Sequence, residues 1–87
     1  MAVKIQYDSG YQKYASALEA YLTDEYAGKV DVTLVSDLAG NGAFEVTCGE
    51  KLIHSKLTID GHGTCTTEEE LDNIVNAITN IINAITT

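Results

Sequence analysis

The chain has 87 residues, 45% of them hydrophobic, which is enough for one domain and a modest core. With 13 acidic against 5 basic residues the formal net charge is −8, which excludes phosphate-backbone binding and disfavours anionic membrane surfaces. Two cysteines are too few for a disulfide scaffold, and no apolar run approaches the ~20 residues of a membrane span.

The opening "AVKIQY" alternates, with Val3, Ile5 and Tyr7 on one face and Lys4 and Gln6 on the other, and so predicts a half-buried strand. From Tyr11 the period becomes helical: Tyr11, Tyr14, Ala15, Leu18, Tyr21, Leu22 and Tyr26 share one face. Glu25 marks where that face meets solvent, and Gly28 stands where a C-terminal cap belongs. "KVDVTLV" alternates again, and a strand, helix and strand with short connections predict a right-handed parallel crossover.

"DLAGNG" reads as a loop. "GAFEVTCGEKLIHSKL" then reads as two strands joined at Gly49-Glu50, where glycine at the first central position suits a type II′ turn. "TIDGHGTC" is a second loop. In the last segment Leu71, Ile74, Val75, Ile78, Ile81, Ile82 and Ile85 form an apolar stripe opposite an Asn- and Thr-rich face. Thr67 with Glu70 is a capping-box pair, and Thr66 with Glu69 offers the alternative register. The order β-α-β-β-β-α predicts a single domain over 1–87. Its four-stranded mixed sheet has order 2-1-3-4, with both helices on one face.

The segments "VKIQY", "GYQKYASALEAYL" and above all "GAFEVTCGEKLIHSKLTIDG" resemble the selenoprotein W-like (Rdx) family of small thioredoxin-fold proteins. The likeness runs from Val3 to Gly61 and implies a thioredoxin-like α/β fold. It also implies that the family's chemistry belongs between the first strand and the first helix, in a C-x-x-C or C-x-x-selenocysteine motif. The matching junction here is Asp8-Ser9-Gly10, shorter and without either redox position. The chain also contains no proline, so the residue that many thioredoxin folds carry before the third strand is missing. A second likeness rests on layout. A lone cysteine in the loop before a C-terminal helix, in a small acidic chain, resembles the selenium-binding proteins of methanogens. In those proteins the loop cysteine holds selenium and the subunits form oligomers. The matching position is Cys65.

Read residue by residue, Ser9 followed by Gln12 predicts an N-cap with its box partner, a structural rather than anion-binding role, since Asp8 would repel an anion. Cys65, in the polar stretch "DGHGTCTT", is expected to be exposed and is the leading candidate for holding a ligand, with His62 as an assisting group. The helix N-terminus that follows favours its thiolate, and Glu68, Glu69 and Glu70 oppose it. Asp60, His62 and Cys65 do not amount to a closed zinc site, so no metal is expected. Cys48 alternates with Phe44 and Val46 and reads as a buried small hydrophobe, and His54 alternates with Leu52 and Lys56 and reads as a surface residue.

Three functions follow. The first is a non-catalytic, cytoplasmic single-thiol carrier in which Cys65 holds selenium or a thiol-linked species, without a cofactor and as a homo-oligomer. The cytoplasm is expected because the amino terminus lacks a secretory apolar core and two thiols fit a reducing compartment. The second is a redox-dead interaction module that kept the fold. The third is a weak thiol oxidoreductase, ranked last because one loop thiol lacks a resolving partner.

Overall fold

The computed structural model describes residues 2–27, 29–37, 42–56, 63, 65 and 67–86. The elements are β1 (Ala2–Asp8), a 3₁₀ turn (Ser9–Tyr11), α1 (Gln12–Tyr26), β2 (Asp31–Asp37), β3 (Phe44–Cys48), β4 (Lys51–Ser55) and α2 (Glu68–Thr86). They form a four-stranded mixed sheet of order β2-β1-β3-β4. β1 runs parallel to β2 from Ala2↔Asp31 to Asp8↔Asp37 and antiparallel to β3, with Ile5 opposite both Leu34 and Val46.

The alternation that predicts β1 is the alternation that is buried. Val3, Ile5 and Tyr7 point inward beside Cys48, Val46 and Phe44 of β3. α1 covers them with Ala15, Leu18, Leu22 and Tyr26, and α2 adds Ile74 and Ile78 to the same cluster, so both helices lie on one face. Each fully buried Leu or Ile side chain contributes roughly 1.5–3 kcal/mol of transfer free energy, which holds α2 in particular, since its Ile, Asn and Thr content favours a helix little. The Tyr26 hydroxyl donates to the Val75 carbonyl at 2.8 Å and lies 3.0 Å from the Thr79 hydroxyl, tying α1 to α2.

Gly49 and Glu50 form the two-residue turn between Cys48 and Lys51. Gly49 has φ +63° and Glu50 has no positive φ, the pattern of a type II′ turn, in which only the first central residue needs glycine's freedom. Two predicted caps differ. The residue in the left-handed conformation after α1 is Ala27, at φ 47° and ψ 45°, and Gly28 lies outside the described residues. At the start of the helix the cap is Asp8 rather than Ser9, because the chain enters α1 through the 3₁₀ turn.

The hairpin contains one irregularity with consequences. Val46 pairs with His54 but Thr47 pairs with Leu52, so Ile53 is an extra residue on β4. The bulge breaks the strict alternation beyond Leu52: Ile53 packs against the core, and His54 and Ser55 are buried. No helix among the described residues is long and apolar enough to cross a membrane.

Candidate functional site

Two loop corners emerge at the same end of the sheet, because β1 and β4 run in the same direction. The first is the β1–α1 junction. The Asp8 carboxylate accepts from the Gly10 N–H at 2.8 Å and from the Gly42 N–H at 2.9 Å, while its own N–H donates to the Ala43 carbonyl at 2.7 Å. The two N–H donors, Gly10 first, hold its carboxyl below the usual range. Ser9 is exposed, and Tyr11, the residue before α1, makes no side-chain cap bond. Asp8 thus fastens the strand to the turn and to the β2–β3 connection. It is a joint.

The second corner, between β4 and α2, is built differently. The bulge carries His54 inward until 2% of it is exposed, and its Nε2 lies 2.8 Å from the Gly63 carbonyl. A carbonyl only accepts, so Nε2 carries the ring proton. At the helix start, Thr67 and Glu70 form the predicted capping pair: the Glu70 N–H donates to the Thr67 hydroxyl at 3.2 Å, and that hydroxyl donates back to Oε1 at 3.1 Å. Glu70 also reaches past the cap, accepting through Oε2 from the Gly63 N–H at 2.7 Å and the Cys65 N–H at 3.3 Å. Gly63 is needed for that approach, since a Cβ there would lie 3.2 Å from Oε2.

These bonds fold Cys65 inward instead of outward. Its φ of 58° is the left-handed region, uncommon for a residue with a side chain. The expectation of an exposed loop cysteine is corrected: Cys65 is 7% exposed and belongs to the hydrophobic core cluster. A polar flanking sequence does not prevent burial when the flanking backbone groups find partners, and here Glu70 and His54 supply them. Cys65 is one of the residues lining a cleft of about 370 Å³, with Tyr14, Ala17, Leu18, Tyr21 and Leu71.

One donor atom each from His54, Cys65 and Glu70 lie within 4.8 Å of one another. Burial, and then the Glu70 charge, push the Cys65 thiol far up from its ordinary pKa, so at neutral pH it is a thiol and not a thiolate. Burial alone would raise Glu70 as well. The Gly63 N–H, the Thr67 hydroxyl, the Cys65 N–H and the nearby His54 outweigh it and bring the carboxyl below its ordinary value. The His54 Nε2 to Glu70 Oε2 separation is 3.9 Å, the outer edge of an ion pair.

Of the residues singled out in the sequence, Asp8, Ser9 and Gly10 lie together at the first corner, Cys65 lies at the second, and His62 and Asp60 fall outside the described residues. Cys48 is buried at the far end of β3, and both cysteines are free thiols. Sequence reasoning missed His54, which it assigned to the sheet surface. The signal was there: Leu52 and Ile53 are adjacent apolar residues, and one of them had to break the alternation. Glu70 was legible as a cap, not as the residue that fastens the cysteine loop.

No curated protein matches the sequence. The family model described as the Rdx family matches residues 2–77, a span that covers the sheet, α1, both corners and the first half of α2. The β-α-β-β-β-α fold, with its helices on one face, agrees with that match, and the chain belongs to the Rdx family.

Proposed function

We propose that this Rdx-family chain is a non-catalytic cytoplasmic carrier that holds selenium, as an S–Se adduct on Cys65, inside the cleft between α1 and α2. The observation that carries the reading is the position of Cys65, buried yet among the residues lining a mostly apolar cleft beside the partly exposed Tyr21. The S–Se–S group is itself neutral and loses little by leaving water there, with the charged remainder of the glutathione left outside the cleft, whereas a thiolate would lose a great deal. The raised thiol pKa fits slow loading and slow release, which suit a carrier and not a turnover nucleophile. No C-x-x-C occurs, and Cys48 is packed into the sheet as a small hydrophobe, so neither offers a resolving thiol.

Loading requires no net oxidation. The Cys65 sulfur attacks the selenium of a bis-glutathione selenide, RS–Se–SR. One S–Se bond forms to the protein, one Se–S bond to glutathione breaks, and the departing glutathione takes the thiol proton. Self-association belongs to the same reading, with the outer strands β2 and β4 as the open edges. There Val35 and Leu52 are 38% and 44% exposed.

The test is intact-protein mass spectrometry after incubation with selenite and glutathione. The native chain and Cys48→Ser are expected to gain a selenium adduct that Cys65→Ser does not. An adduct absent from all three, or retained in Cys65→Ser, overturns the reading. The chain would then be read as an interaction module built on a thioredoxin-like fold.

A further inference from the structure

We infer that His54, Cys65 and Glu70 form a three-ligand site for one thiophilic divalent cation of the zinc class, with a fourth position open toward the α1–α2 cleft. The inference shares Cys65 with the carrier reading and stands without it. Its basis is the convergence of a thiol, an imidazole and a carboxylate from three separate parts of the chain: β4, the loop and the first turn of α2. Nothing in the capping of α2 requires the imidazole to be there. A β-bulge, a left-handed cysteine and a glycine whose Cβ would crowd Glu70 are the backbone features that bring the three together.

The donor chemistry selects the ion. Sulfur with imidazole nitrogen suits zinc and the cations that replace it, while calcium and magnesium take oxygen ligands. Three protein ligands and one open position are the composition of sites that exchange a ligand, where four would close the site. The charge also balances: one thiolate and one carboxylate against a divalent cation leave a neutral centre, the form a buried site tolerates.

The geometry is near the required one. Bonds of about 2.0–2.3 Å at tetrahedral angles place donor atoms roughly 3.3–3.6 Å apart. The His54 Nε2 to Glu70 Oε2 distance is 3.9 Å, and the whole set lies within 4.8 Å. Closing the remainder falls to the His54 and Cys65 side chains, since Glu70 is held by its hydrogen bonds. Glu70 keeps capacity to bind at Oε1, since two N–H groups occupy Oε2 and a single hydroxyl occupies Oε1. On binding, Nε2 exchanges the Gly63 carbonyl for the ion and the ring proton moves to Nδ1. The thiol proton is released to solvent.

Cobalt(II) is the probe, added to the chelator-treated, reduced full chain, because a thiolate–cobalt bond gives a near-ultraviolet charge-transfer band. One equivalent is expected to produce that band with the visible bands of tetrahedral cobalt, and zinc is expected to displace it. Cys65→Ser should abolish the charge transfer and Cys48→Ser should leave it. His54→Gln and Glu70→Gln should each weaken binding by ~100-fold or more, above the ~10–100-fold that outer-shell changes cost. Glu70→Gln keeps an oxygen acceptor at a partly exposed position, so it reports even where a substitution at buried His54 unfolds the chain. A missing band at millimolar cobalt, a band that survives Cys65→Ser, or affinity unchanged in Glu70→Gln overturns the inference. A selenium adduct without the cobalt band removes the metal site and leaves the carrier, and the cobalt band without an adduct does the reverse.

Discussion

The two corners at the shared end of the sheet solve the same problem in opposite ways. At the β1–α1 junction a carboxylate, Asp8, turns to the Gly10 and Gly42 N–H groups and spends itself on the backbone. At the β4–α2 junction a carboxylate, Glu70, also fastens glycine and cysteine N–H groups, but it does so beside a buried imidazole and a buried thiol. Both corners flank Phe44, whose ring centroid lies 6.5 Å from that of Tyr11 and 6.2 Å from that of His54. The lesson is that two corners at one end of a sheet, each tied by a single carboxylate, can differ wholly in what they bury. The buried imidazole and thiol lie at the second corner, and the imidazole packs against the aromatic ring that the first corner also touches.

The sharpest way to break that comparison is to remove one polar residue from each corner. His54→Ala deletes a buried ring that packs edge-on against Phe44 and leaves the Gly63 carbonyl without its donor. The expected loss is about 3 kcal/mol, the sum of a cavity and an unsatisfied acceptor. Ser9→Ala is expected to fall within about 0.5 kcal/mol, since Asp8 and not Ser9 supplies the cap. Urea unfolding of the two variants checks both. Equal losses would mean that Ser9 caps after all, or that His54 holds nothing.

That pair of residues also marks what the sequence could and could not tell. The topology was legible because each element declares its period. Val3, Ile5 and Tyr7 alternate, Leu18 and Leu22 recur helically, and a Gly-Glu turn joins two runs of strand. The 2-1-3-4 sheet order followed from element order and short connections, and its thioredoxin-like character from the family resemblance. The site was less legible because it depends on three departures from period. The bulge at Ile53 turns His54 inward, Cys65 adopts a backbone conformation that side chains rarely take, and Glu70 extends its cap by several residues. Each is a tertiary choice among locally similar alternatives. Ser9 and Asp8 were a closer contest, since both are good caps, and the 3₁₀ turn decided it.

Glycines permit a finer comparison, because each corner has one beside its carboxylate. A Cβ on Gly63 would meet Glu70 Oε2 at 3.2 Å, and that oxygen is held by two backbone N–H groups and has little freedom to retreat. A Cβ on Gly10 would meet Asp8 Oδ1 at 3.4 Å, at the edge of ordinary contact. Gly63→Ala is therefore expected to cost about 1 kcal/mol, and Gly10→Ala to cost less. Thermal melts of the two variants side by side decide it. A larger shift for Gly10→Ala would show that the crowding at Glu70 is relieved without loss.

The smallest expected effects separate the two carboxylates by their pH dependence. Asp8 and Glu70 both have carboxyl groups held below their ordinary values in the folded chain. A depressed pKa contributes stability that is present above the unfolded value and is lost as pH falls through the folded one. The unfolded values are 3.8 and 4.5, so Asp8→Asn and Glu70→Gln should each flatten the loss of stability below about pH 4.5. Only Glu70→Gln should also act at the alkaline end. After burial, the Glu70 charge is the other cause that raises the Cys65 thiol. Its removal should move the onset of Cys65 alkylation to lower pH, read by iodoacetamide labelling and mass spectrometry on a Cys48→Ser background. Asp8→Asn should leave that onset where it is, because Asp8 is committed to Gly10 and Gly42 and contributes nothing to the thiol. An equal shift in both variants would mean that the two corners are electrostatically one, and the contrast between a joint and a site would fail.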